Sequence, residues 1–127
     1  MSISFNVIEK GQPGVVGGGE KKFYANTVTV GEINVEGITK KVEKISTVSG
    51  ADIRAVIYAT VDVMIDELSE GRIVRLGDLG DLRVSISSEG LATAEEVSSN
   101  SVRGSKVIFR PGKMIRNMLK TLTFKKL

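Results

Sequence analysis

Arg110, Lys113, Arg116, Lys120, Lys125 and Lys126 bring six positive charges, and no negative one, to residues 110–127. Cations without interleaved acids have the side-chain chemistry of polyanion binding: guanidinium and ammonium groups hydrogen-bond phosphate oxygens and displace their counterions. The other 12 of the 18 basic residues stand against all 15 acidic ones, so this segment turns a mildly acidic chain into one of net charge +3. Positive charge confined to one stretch points to a docking surface, with double-stranded DNA as the polyanion to test.

Other chemistries find little support. The chain has no Cys and no His, which removes disulfides, thiolate ligands, cysteine nucleophiles, the usual general base and any Ser-His-Asp triad. Asp62 and Asp66 form a carboxylate pair one helical turn apart, a poor metal site without further ligands. Asp78 and Asp81 lie in a tight turn with no nucleophile or cofactor motif beside them, so turn chemistry accounts for them. Residues 11–19 are rich in glycine, but Gly19 is followed by Glu20 and a strand rather than by the Lys and Ser/Thr that open a P-loop helix. A flexible connector is the expectation. No enzyme activity, cofactor, metal or small-molecule substrate is expected.

The elements that must hold the cations read as follows. At 127 residues, 41% apolar and without Trp, the chain is expected to form an aliphatic core. Ile3, Phe5 and Val7 alternate with Ser2, Ser4 and Asn6, the pattern of a half-buried strand. A second strand over residues 22–30 should pair with it antiparallel. Asn34 caps a short helix over 35–46 whose apolar Val35, Ile38, Val42 and Ile45 recur at spacings of three and four, with Lys40, Lys41 and Lys44 toward solvent. Ser49 opens a longer helix to about residue 70, stopped by Gly71. Its apolar positions, from Ile53 to Leu68, span an arc of roughly 140°. That is wide enough to contact its own sheet and a second subunit. Residues 72–86 read as a hairpin turning at Gly77-Asp78-Leu79-Gly80, and 87–104 as an exposed, polar loop or arm. A last strand covers 106–109. Pro111 suits the first turn of a terminal helix, on which Lys113, Arg116 and Lys120 face away from Ile115, Met118, Leu119 and Leu122.

Membrane insertion is not expected. The first ten residues lack the cationic start and apolar run of a signal peptide, and no stretch approaches the ~20 apolar residues of a transmembrane span. The expectation is a soluble protein of the cytoplasm.

Two motifs resemble a known family. Val74-Arg75-Leu76-Gly77-Asp78-Leu79-Gly80-Asp81-Leu82-Arg83-Val84 is similar to the V-x-L-x-G-F-G-x-F-x-V hairpin of the bacterial HU/IHF histone-like proteins, with Leu79 and Leu82 where Phe is usual. Phe109-Arg110-Pro111-Gly112-Lys113, continued by Ile115 and Arg116, is similar to the family's F-[KR]-x-G-K-x-L-[KR]. The resemblance covers roughly residues 38–120. It implies an α+β fold forming an intertwined homodimer. A helical base would carry an antiparallel β-sheet saddle with an arm and a C-terminal helix, and an extra N-terminal strand pair would be added. Residues 1–33 would be that extension with its Gly-rich loop, and 34–127 the HU-like DNA-binding domain with the arm at about 85–106. The implied function is architectural: a nucleoid-associated, weakly sequence-specific protein that holds duplex phosphates with Arg110, Lys113, Arg116 and Lys120, helped by Arg75, Arg83, Arg103 and Lys106.

The arm departs from the family pattern. No Pro lies within residues 85–110, the basic R-N-P-x-T-G tip is missing, and Arg103 and Lys106 are outnumbered by Glu89, Glu95 and Glu96. The wedge that kinks DNA in this family therefore does not carry over, and weaker bending is expected. Both this arm and the extension are similar to a divergent HU-like offshoot. The alternative is an HU-fold scaffold that engages protein through its strands and acidic arm. The residues do not decide between homodimer and heterodimer.

Overall fold

Alternating apolar and polar residues build the first strand, β1 (Ser2–Lys10), and its antiparallel neighbour β2 (Lys22–Val28). The computed structural model describes residues 2–127. Between these strands the glycines take positive φ at Gly14, Gly17, Gly18 and Gly19, a region open to residues without Cβ. Strand β2 stops at Val28, two residues short of the sequence expectation.

Both helix starts follow from local hydrogen bonding. Helix α1 (Val35–Ile45) begins where the Asn34 side chain accepts the Gly37 N–H at 3.0 Å. Helix α2 (Gly50–Ser69) begins where Ser49 Oγ accepts the Asp52 N–H at 3.3 Å. Past its end, Gly71 takes φ of 81°, the left-handed stop expected of that glycine. The two helices pack on each other, and Arg54 of α2 pairs with Glu36 of α1 at 3.2 Å.

A second antiparallel sheet follows, in the order β3-β4-β5, from β3 (Val74–Arg75), β4 (Gly80–Ser88) and β5 (Val102–Pro111). Its ladder runs farther than the apolar alternation indicated. Ser85 pairs with Lys106, Ser87 with Gly104 and Ser88 with Val102, with an irregularity at Ser87/Ser88. Residues expected to form a loose polar loop are thus partly strand, and β5 begins four residues before the anticipated position. Backbone hydrogen bonds need no side-chain pattern, so serines extend the hairpin as well as valines do. Its tip, residues 89–101, is closed by the Glu89 N–H to Ser101 carbonyl bond at 2.8 Å and holds two short 3₁₀ turns.

Pro111 ends β5 instead of opening the terminal helix. As an edge strand, β5 tolerates a residue without N–H. Gly112 is the N-cap, and α3 spans Lys113–Thr121. The chain then forms a strand that sequence periodicity did not reveal, β6 (Thr123–Lys126), which pairs parallel with β1. The terminal sheet, ordered β2-β1-β6, thus draws on both ends of the described chain. Lys125 and Lys126 belong to this sheet and not to α3.

Burial is sparse. Among the described residues Ile53 is the sole apolar side chain classed as buried, at 6% exposure. Ile57, Met64 and Leu68 share its helical stripe and are half-buried, whereas Val56 and Val63 stay 63% and 59% exposed. The accessible surface is 10381 Å², against roughly 6,600 Å² for a compact monomer of this mass. No helix among the described residues is long and apolar enough to cross a membrane.

Candidate nucleic-acid interface

Strand register sorts the β3-β4-β5 sheet into two chemically different faces. Directly paired residues project to the same side, so Val74, Leu82 and Phe109 share one face, with Val84 and Val107 paired beyond them. Helix α2 packs against β3 and β4, and an apolar groove runs between Val56, Val63 and Met64 of α2 and Val74 and Leu76. The other face is polar. Its innermost row crosses Arg75, Asp81 and Arg110; the next holds Arg83 and Ile108; the third holds Ser85 and Lys106. Successive rows are about 7 Å apart. Four of the predicted cations, Arg75, Arg83, Lys106 and Arg110, therefore lie on one sheet face.

The junction with α3 adds two more. Arg110, Lys113 and Arg116 line one shallow recess of about 650 Å³ together with Asp78 and Asp81 of the hairpin turn. This convergence depends on the two sequence motifs touching. Gly80 is the register partner of Pro111, and the Gly112 N–H donates to the Leu79 carbonyl at 2.9 Å. A Cβ at Gly112 would meet the Asp78 carbonyl, and one at Gly80, whose φ is 141°, would meet the Arg110 carbonyl. Glycine at both positions permits the backbone contact that swings α3 against the turn. The family-like spacing thus has a steric cause.

The electrostatics of the face are uneven. Arg75 Nη1 pairs with Asp81 Oδ2 at 2.8 Å. Among the described residues none of Arg83, Arg103, Lys106, Arg110, Lys113, Arg116 and Lys120 forms an ion pair. The Arg83 Nε is buried without a hydrogen-bond partner, although its residue is half-exposed. Most of the positive charge is consequently available to an outside anion, while Asp81 tempers the inner row.

Not every predicted residue joins this group. Lys120 stands in the last turn of α3, outside the recess. Arg103 lies beside the Ser87/Ser88 irregularity near the tip. The acids expected to oppose binding, Glu89, Glu95 and Glu96, occupy the exposed tip and not the sheet face. Sequence reading missed Asp81 as the partner of Arg75. Their spacing of six residues across a tight turn was the available signal.

A crystal structure from Bacteroides vulgatus, described as a "putative bacterial DNA binding protein", has the same fold at a TM-score of 0.67 and 17% identity. The match covers 99% of this chain and 48% of that one, so the chain spans about half of its structural relative. None of the curated proteins matches. That likeness shows the α+β architecture. The family model described as HU-HIG, "HU domain fused to wHTH, Ig, or Glycine-rich motif", matches residues 1–126, and the chain belongs to this family.

Proposed function

We propose that this protein is a dimeric, histone-like architectural DNA-binding protein of the nucleoid that grips duplex phosphates with little sequence preference. The observation that carries this reading is the shared polar face: Arg83, Lys106 and Arg110 without ion pairs, Arg75 in the inner row, and Lys113 and Arg116 at its margin. Phosphate contacts supply affinity without sequence information. Lys120 and Arg103 serve as outlying contacts.

The homodimer rests on burial. A surface about 3,800 Å² larger than expected for a compact monomer, with Val56 and Val63 exposed beside an apolar groove, leaves the fold without a sufficient core. An obligate interface of up to roughly 5,000 Å² in total would take about 2,500 Å² from each copy, the larger part of that excess. A second copy of α2 would fill the groove and bring two polar sheets into one saddle.

Electrophoretic titration of duplex DNA at several salt concentrations tests the proposal. Neutralisation of six phosphates by the two sheet faces of the dimer alone contributes about −5 to the slope of log K against log salt; no duplex binding even at low salt would defeat the proposal. The acidic tip, with Glu89, Glu95 and Glu96 exposed, favours a second reading as a protein-binding scaffold. Charge reversal at Lys113 and Arg116 separates the two, because DNA binding alone requires those positive charges.

A further inference from the structure

The terminal sheet carries a charge pattern that the saddle does not use. Residues 2–28 and 123–127 contain five basic and two acidic residues, whereas the rest of the chain holds thirteen of each. The entire net charge of +3 therefore resides in the segments that form, or directly flank, this sheet.

Register distributes the charge unequally between its faces. Ile3, Phe5 and Val7 share one side with Phe23 and Phe124, and Phe23 and Phe124 are 71% and 65% exposed. Glu9, paired with Phe23, and Lys126, paired with Phe5, also stand on that side, so its charges cancel. The opposite side holds Lys10, Lys22, Lys125, Tyr24, Asn6 and Asn26 together with half-buried Ile8 and Val28, and no acid. Glu20 lies before β2, outside the strands. Lys10, Lys22 and Lys125 are all exposed on this side.

Two details indicate an anion for that side. Lys10 and Lys22 are direct cross-strand partners, a like-charge pairing that is unfavourable unless something neutralises it. Among the described residues neither they nor Lys125 forms an ion pair; Lys10 is held 4.9 Å over the Tyr24 ring instead. Strand β6 then adds Lys125 beside Ser4, one residue's link away from the basic helix α3. The paired Asn6 and Asn26 and the Tyr24 hydroxyl offer neutral donors among the ammonium groups. These features match a phosphodiester backbone.

We propose that this face, through Lys10, Lys22 and Lys125, is a second surface for the phosphates of duplex DNA, extending the contact made by the saddle. The inference rests on the DNA-binding reading above. The test uses the full chain with Lys10→Gln, Lys22→Gln and Lys125→Gln combined, all at exposed positions. Salt titration is joined to amine-reactive labelling of the wild-type complex.

The expected result is a salt slope shallower by about 2–3 per chain and at least about tenfold weaker binding at low salt, with all three lysines shielded by duplex. A wild-type chain that binds no duplex would overturn the DNA-binding reading and this inference with it. Wild-type binding combined with an unchanged variant slope would overturn this inference alone. A changed slope without shielding would mark long-range charge and overturn it too. So would shielding by poly-glutamate but not by duplex, which would assign the face to an acidic protein.

Discussion

Asp81 is the residue on which the strength of the sheet face turns. It sits on the central strand between Arg75 and Arg110 in register and holds Arg75 at 2.8 Å. Since Arg75 is 67% exposed, such a pair adds at most about 1 kcal/mol to stability. Its larger effect is to place a negative charge within a row that would meet phosphates. Asp81→Asn should therefore tighten duplex binding about three- to tenfold at low salt while leaving the fold in place; equal or weaker binding in the same electrophoretic titration would show that the inner row does not touch DNA. Gly80 and Gly112 have the complementary role of setting position. The motifs that mark them were legible in the sequence, but their mutual contact was not, because it joins residues more than thirty apart.

At the scale of elements, local signals were read well and long-range ones poorly. Asn34, Ser49 and Gly71 marked the helix ends because capping is decided within a few residues. Strand β6 was invisible because Thr123–Lys126 has no apolar alternation and exists as a strand only through the edge of β1. The long β4–β5 hairpin was underestimated for a similar reason, its outer rungs being serine and glycine. Its tip has no proline between Ser85 and Arg110, so the hairpin lacks a rigid wedge for unstacking bases. Energy transfer between dyes at the ends of a bound duplex should report a smooth, shallow bend; a sharp kink would contradict this. Helix α2 supplies the other element-scale prediction. Val63→Asp, in the groove beside Met64 and Val74, would bury an unpaired carboxylate in the dimer. It should cost about 3 kcal/mol or more. Sedimentation and circular dichroism should then show loss of dimer and fold together, whereas a folded dimer that persists would refute the groove as the interface.

The whole molecule combines a polar sheet face, a short cationic helix and a terminal sheet around very little private core. The wide apolar face of α2 led to the expectation of a partner from sequence, and in the single chain Ile53 is the one apolar side chain buried among the described residues. The basic segment 110–127, in contrast, misled as a unit: the fold sends Arg110 to β5, Lys113, Arg116 and Lys120 to α3, and Lys125 and Lys126 to the terminal sheet. What concentrates charge is tertiary register. The most direct test of that claim is the salt dependence of duplex binding by the combined Arg83→Ala, Lys106→Ala and Arg110→Ala variant beside the wild type. The slope should become shallower by about 2.7 per chain, with the dimer retained; a slope equal to that of the wild type would contradict a phosphate track on this sheet.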